Sequence, residues 1–323
     1  MRSLVTGGAG YIGSVVAKQL LEAGHEVVVL DDLSRGHEAA IPPGARHLAI
    51  SLGAPAALDG ALEGIDAVVH FAALSLVAES VEHPERYWRN NVTGTLNLLD
   101  AMRAHDVRKL VFSSTAATYG EPERVPIVEQ EPTAPVNAYG ASKLAVDLML
   151  RDECVGHGLA ATSLRYFNVA GASGEQGEHH EPETHLIPLI LQAAAGKREH
   201  ITIFGTDYPT RDGTAVRDYI HIEDLGDAHL LALDHLTAGE HRIYNLGTGD
   251  GFTVREVIEA SRRVTGEPIP AIEEARRPGD PPALVADASR AREELGWNPS
   301  RGLEDMIADA WAWHLAHPDG YAD

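Results

Sequence analysis

At 323 residues the chain exceeds what one small core accommodates, so a large α/β unit with an appended lobe is expected. Apolar residues make up 44%, enough for a packed globular core. Its 26 basic and 48 acidic side chains give a formal charge of −22, a surface that repels a phosphate backbone and excludes nucleic acid as an expected partner.

The lone cysteine, Cys154, rules out an internal disulfide framework and fits a reducing compartment. No basic-then-apolar leader and no apolar run of about 18 residues is visible. A cytoplasmic protein without a membrane partner is expected.

"SLVTG" (3–7) reads as a buried strand, and "YIGSVVAKQLLEAGH" (11–25) has helical spacing that stops at Gly24. "EVVVLDD" (26–32), "DAVVHFAA" (66–73), "KLVFSS" (109–114) and "AATSLRYFN" (160–168) read as further strands. Amphipathic stretches lie between them, such as 87–105 and 139–154. Strands alternating with helices predict a doubly wound parallel sheet, a Rossmann domain over 1–168.

The alternation stops near residue 168. "GASGEQGEHHEPETH" (171–185) is polar and Gly-rich and reads as a long binding loop. Residues 200–225 read as strand and loop, and 300–318 as a terminal helix. A smaller mixed α/β domain over 169–323 is therefore expected to bind the substrate.

"TGGAGYIG" (6–13) spaces Gly7, Gly10 and Gly13 three apart between the first strand and the first helix, with Tyr11 and Ile12 inside the loop. Such glycines let a backbone approach a pyrophosphate, and the helix N-terminus supplies free N–H groups. An acid is then needed about 20 residues on, for the adenosine ribose. Asp31 stands 18 residues after Gly13, followed by Asp32, Leu33 and Ser34. A carboxylate there repels a 2′-phosphate, so NAD is the expected cofactor, although Arg35 is close by.

Tyr139 and Lys143 stand at i and i+4 in "YGASK", on one helix face with Cβ atoms about 6 Å apart. A nicotinamide enzyme acting on an alcohol needs a base. A lysine ammonium and a pyridinium ring would both lower a tyrosine that ordinarily titrates near 10. "FSSTAATYG" (112–120) offers Ser113, Ser114 and Thr115 as a hydroxyl at a strand end, and spacing alone does not choose among them. His179, His180 and His185 share the polar loop, but HH-x4-H is not a standard ligand spacing and no cysteine joins it, so no metal is expected.

These strings, with "DDLSRG", "HFAA", "NNVTGT", "RYFNVAGA", "HLIPLI", "IFGTDYPTRDGTAVRDYIH" and "RRPGDPPALVADAS", resemble from end to end the extended short-chain dehydrogenase/reductases, and most closely their UDP-glucose 4-epimerase branch. The resemblance implies Tyr139 as base, Lys143 as its partner and Thr115 as the hydroxyl. It implies Phe71, Ala72 and Ala73 along the dinucleotide, Asn90 on the facing helix, Ser113 beside the cofactor and Tyr166 by the nicotinamide. For a UDP-sugar it implies Asn168, Arg217 and Arg277 at the diphosphate, with Tyr219 beside them. His185, Leu186 and Phe204 would hold the nucleotide, Asp280 its ribose, and Leu284 would line the hexose pocket.

The implied reaction is reversible C4 epimerisation of UDP-glucose and UDP-galactose through a 4-keto sugar, by a homodimer paired along helices 87–105 and 139–154. The alternatives are a 4-epimerase of a UDP-N-acetylhexosamine or UDP-glucuronate, or a non-catalytic NAD and UDP-sugar binder. A 4,6-dehydratase would need an Asp-Glu pair where Ala116 and Ala117 stand. Three positions depart from the branch: Ser75 replaces a common lysine, Ser51 a common aspartate, and Leu284 falls between the bulky and small residues that narrow or widen substrate choice.

Overall fold

In the computed structural model, residues 1–277 and 279–322 are described. Pro278, inside "RRPGDPPALVADAS", and Asp323, the last position of the expected second domain, lie outside the described residues.

The described residues form a seven-stranded sheet in the spatial order His241–Leu246, Ala160–Tyr166, Lys109–Thr115, Ala67–His70, Arg2–Thr6, Glu26–Leu30 and Arg46–Leu48. Every pairing in it is parallel. Both faces are covered. Helices Tyr11–Glu22, Ile222–Asp234 and Ser289–Leu295 bury one face with Leu20, Leu225 and Leu295. Helices Pro55–Ala61, Gly94–Ala104 and Ala138–His157 bury the other with Leu58, Leu98 and Leu150. Burial on both faces explains the near-continuous apolar strands, such as Val27 to Leu30.

The chain leaves Arg2–Thr6 to one side for Glu26–Leu30 and returns on the other side as Ala67–His70. That reversal opens a crevice at the carboxyl ends of the strands, where such sheets bind ligands. Residue 168 marks the end of the regular alternation and not the end of the sheet. Strand His241–Leu246 and helix Ile222–Asp234 return from beyond it to join the first core.

The second lobe is mixed α/β. Helices Leu186–Ala194, Val254–Thr265 and Leu303–Ala316 pack around Ile187, Ile258 and Met306. Short strands carry two of the residues expected at the substrate, Arg217 and Leu284: Val216–Arg217 lies between antiparallel Phe252–Thr253 and parallel Ala283–Leu284.

Two helices depart from the simple reading. The stretch 87–105 divides into Pro84–Tyr87, a π-turn over Trp88–Thr93, and Gly94–Ala104. The π-turn turns Asn91 inward, where its amide grips Leu74 through N–H···O contacts of 2.8 and 3.0 Å. The helix bearing Tyr139 runs Ala138–His157. Asn137 caps its start by accepting from the Gly140 amide at 2.8 Å, and Gly158 at φ 71° ends it.

Candidate active site

Every position expected at the cofactor lines one cleft of about 720 Å³ at the strand ends. Gly7 and Gly13 are there for close approach. A Cβ on Gly7, whose φ is +72°, would meet the Ala72 amide nitrogen at 2.6 Å, and one on Gly13 would meet the Gly7 carbonyl oxygen at 2.2 Å. Gly10 differs: a Cβ there meets only the Gly7 carbonyl oxygen, at 3.3 Å. Helix Tyr11–Glu22 has no side-chain cap at Gly10, so its first-turn amides face the cleft.

Asp31 organises this loop. Its carboxylate accepts from the Ala9 amide at 3.0 Å and the Leu33 amide at 2.9 Å, while burial raises it above the usual carboxylate range. Burial also pushes on Asp32, but hydrogen bonds from Ser34 and Ser51 outweigh it and hold that acid low. Arg35 is engaged elsewhere, donating to the Glu181 carbonyl at 3.1 Å and pairing with Glu79 at 3.3 Å.

Tyr139, Thr115 and Lys143 line the same cleft. Burial raises the Tyr139 phenol and a hydrogen bond from Thr115 works against it. This differs from the expected lowering: with the chain's own groups, desolvation outweighs the Thr115 hydrogen bond. Lys143 is only 3% exposed and donates to the Ser113 carbonyl at 2.7 Å. Burial pulls its ammonium down to about 7, although Asp147 one turn on raises it. Ser113 Oγ hydrogen-bonds the Tyr166 hydroxyl, so the two strand ends lock each other.

The substrate-side residues divide. Thr115, Asn168 and His185 line the cleft. Asn168 spends an amide donor on the Asp218 carbonyl at 2.9 Å. Arg217 pairs with Asp280 and donates to the Pro281 carbonyl at 3.0 Å. The Arg277 guanidinium stacks over the Phe204 ring at 3.9 Å. Leu284 lies in register with Arg217 and packs beside Ala116 and Tyr119. Leu186 and Tyr219 pack with the core of the second lobe, where Tyr219 is 4% exposed, and neither these two nor Arg217, Arg277, Phe204, Asp280 and Leu284 line the cleft.

Several supporting residues carried no spacing signal. His70 is buried between Thr6 Oγ1 at 2.6 Å and Thr95 Oγ1 at 2.8 Å, and desolvation lowers it to about 3. Asp218 gathers the amides of Thr248, Gly249 and Ala286 at 2.9, 3.1 and 2.9 Å, fixing the strand behind Arg217. Buried Asp147 holds Arg165 at 2.7 Å. Such residues are visible only once distant segments meet.

The profile of the "NAD dependent epimerase/dehydratase family" matches residues 3–247. The UDP-glucose 4-epimerase of Streptomyces lividans is 58% identical over 323 residues, 99% of this chain and 98% of that relative. A crystal structure of a UDP-glucose 4-epimerase superposes with a TM-score of 0.97 at 49% identity, covering 100% of both chains. One from Stenotrophomonas maltophila, solved with NAD and formylated UDP-arabinopyranose, superposes with a TM-score of 0.95 at 39% identity, covering 98% of this chain and 99% of that one. The chain belongs to the NAD dependent epimerase/dehydratase family.

Proposed function

We propose that this family member interconverts UDP-glucose and UDP-galactose by inverting C4 of the hexose, as an NAD-dependent UDP-sugar 4-epimerase. The observation that carries the reading is the convergence of Tyr139, Thr115 and Lys143 on the cleft that the glycine loop opens.

The residues fit NAD. The uncapped amides of the first helix suit a diphosphate, the open side of Gly10 gives it room, and Asp31 suits an unphosphorylated ribose. Held there, NAD would supply reversible hydride chemistry at C4 of the sugar and, through its positive ring, a charge that would lower Tyr139.

The chain's own groups do the rest. Tyr139 Oη removes the proton from the sugar O4, and Thr115 holds that oxygen and favours the phenolate. Lys143, fixed by the Ser113 carbonyl, sets the cofactor side of this wall. Arg217 and Arg277 grip the diphosphate in bidentate fashion while the 4-keto hexose turns and presents its other face. Asn168, His185, Leu186, Phe204, Tyr219 and Asp280 form the nucleotide's surroundings, and Leu284 walls the hexose.

We also assign a homodimer and the cytoplasm. Trp88, Leu96 and Leu148 are exposed on neighbouring helices, an apolar face that a second copy would cover. Among the described residues no helix is long and apolar enough to cross a membrane. Light scattering that gives a monomer mass would refute the dimer.

The reading is tested by incubating purified protein with UDP-galactose, with and without added NAD. UDP-glucose should form, and stimulation by added NAD is the expected consequence of Ser51 and Ser75. Turnover of UDP-N-acetylgalactosamine would mean that Leu284 leaves room for the acetamido group. Inert UDP-galactose would defeat the proposal.

A further inference from the structure

The loop 171–185 holds a side-chain cluster whose carboxylates and His180 have no part in the reaction, with His185 at its edge beside the nucleotide. Glu178, His180, Glu183 and His185 each offer one ligand atom, and these atoms all lie within 4.8 Å of one another. His185 Nδ1 is 2.9 Å from Glu178 Oε1 and 3.0 Å from Glu183 Oε1. His180 Nδ1 is 3.3 Å from Glu178 Oε1 and 3.6 Å from Glu183 Oε2. Four N and O ligands placed tetrahedrally at ordinary zinc distances, about 2.0–2.1 Å, stand about 3.3 Å from each other. The three separations measured to the Oε1 atoms, 2.9, 3.0 and 3.3 Å, lie at or just below that value, and His180 meets Glu183 through its other oxygen.

We infer that Glu178, His180, Glu183 and His185 form a binding site for a divalent transition cation, zinc by its donor set, that pins this loop at the rim of the cofactor cleft. Glu178 is 7% exposed, and a buried carboxylate needs a cationic partner. The competing arrangement is two imidazolium–carboxylate pairs. It accounts for His185, which hydrogen-bonds Glu183 at 3.0 Å. It serves His180 less well, whose Nδ1 sits 3.3 Å from Glu178 Oε1 and 3.6 Å from Glu183 Oε2 without hydrogen-bond alignment to either. A cation at the centre satisfies all four groups, and two carboxylates neutralise its charge. Imidazole and carboxylate without thiolate select the borderline divalent metals.

Burial disfavours protonation of both rings, yet the glutamates outweigh it and push His180 to about 9 and His185 to about 10. The incoming metal must therefore displace ring protons, which leave to solvent.

The place suggests the purpose. Tyr11 donates to the carbonyl of Gly171, at the start of this loop, at 2.7 Å, and His185 stands at the cap of helix Leu186–Ala194. A closed site with four protein ligands is structural, so the cation would tie the glycine-loop side of the cleft to that helix. The expectation of no metal weighed three histidines and a cysteine and left out the intervening glutamates.

The test uses the untagged full-length chain carrying its own cofactor. After zinc-replete purification and dialysis, elemental analysis should find close to one zinc per chain. Cobalt added to the stripped protein should give saturable four-coordinate d–d absorption that zinc abolishes. His180→Ala and the isosteric Glu183→Gln should each weaken cobalt binding at least ~10-fold with unchanged far-ultraviolet circular dichroism. Substoichiometric zinc together with no saturable cobalt absorption in the native chain would overturn the proposal, and needs no variant. Equal cobalt affinity in native chain and folded variants would overturn it as well.

Discussion

The cofactor cleft and the candidate diphosphate groups of the second lobe are built differently. On the cofactor wall each functional group is fixed by buried backbone partners at a strand end: Asp31 by the amides of Ala9 and Leu33, Lys143 by the carbonyl of Ser113. In the second lobe the candidate groups satisfy one another, Arg217 with Asp280 and Arg277 against Phe204. The first is preorganised to receive its cofactor. The second must exchange its internal pairs for a ligand that comes and goes, which suits turnover.

This contrast can be broken most sharply at the shared centre. Tyr139→Phe should lower epimerisation by about 10²- to 10⁴-fold, while calorimetry finds UDP-sugar binding largely intact. Near-native turnover would end the assignment of the base.

On the preorganised wall, Gly7→Ala forces a Cβ to 2.6 Å from the Ala72 amide nitrogen at a φ of +72°. It should strip most bound NAD and destabilise the fold by more than ~1 kcal/mol. Full cofactor retention, read from absorbance after gel filtration, would show that the loop is not tightly built.

The self-paired groups should yield a gentler loss. Arg277→Leu should raise KM for UDP-galactose about tenfold and leave kcat nearly unchanged, because the lost contact serves ground state and transition state alike. A fall in kcat with constant KM would place Arg277 at the reacting centre instead.

The smallest effect concerns pH. Burial lowers His70 to about 3 and His229 to about 4, below the ordinary 6.5. The unfolded chain therefore takes up protons first as pH falls, and stability is lost from about pH 6.5 downward. Tm should fall between about pH 6.5 and 5, and His70→Gln should flatten the slope. An unchanged slope would mean that His70 titrates freely.

The same contrast explains what the sequence reveals. Glycine spacing, an acid after the second strand and Tyr139 with Lys143 are local patterns, and local patterns survive in sequence. The doubly wound sheet follows from apolar runs alternating with amphipathic helices. Edge strands Arg46–Leu48 and His241–Leu246 escape that reading because arginine and histidine interrupt their apolar pattern. The π-turn at Trp88–Thr93 escapes it because its cause, the grip of Asn91 on Leu74, spans distant segments. The raised Tyr139 escapes it because burial is a property of the fold.

The central claim is that hydrogen leaves and returns to C4 of the same sugar inside one site. UDP-galactose carrying deuterium at C4 tests it directly. UDP-glucose formed in ordinary water should retain the label at C4, because Tyr139 exchanges only the O4 proton with solvent. UDP-glucose that has lost its deuterium to water would contradict the mechanism.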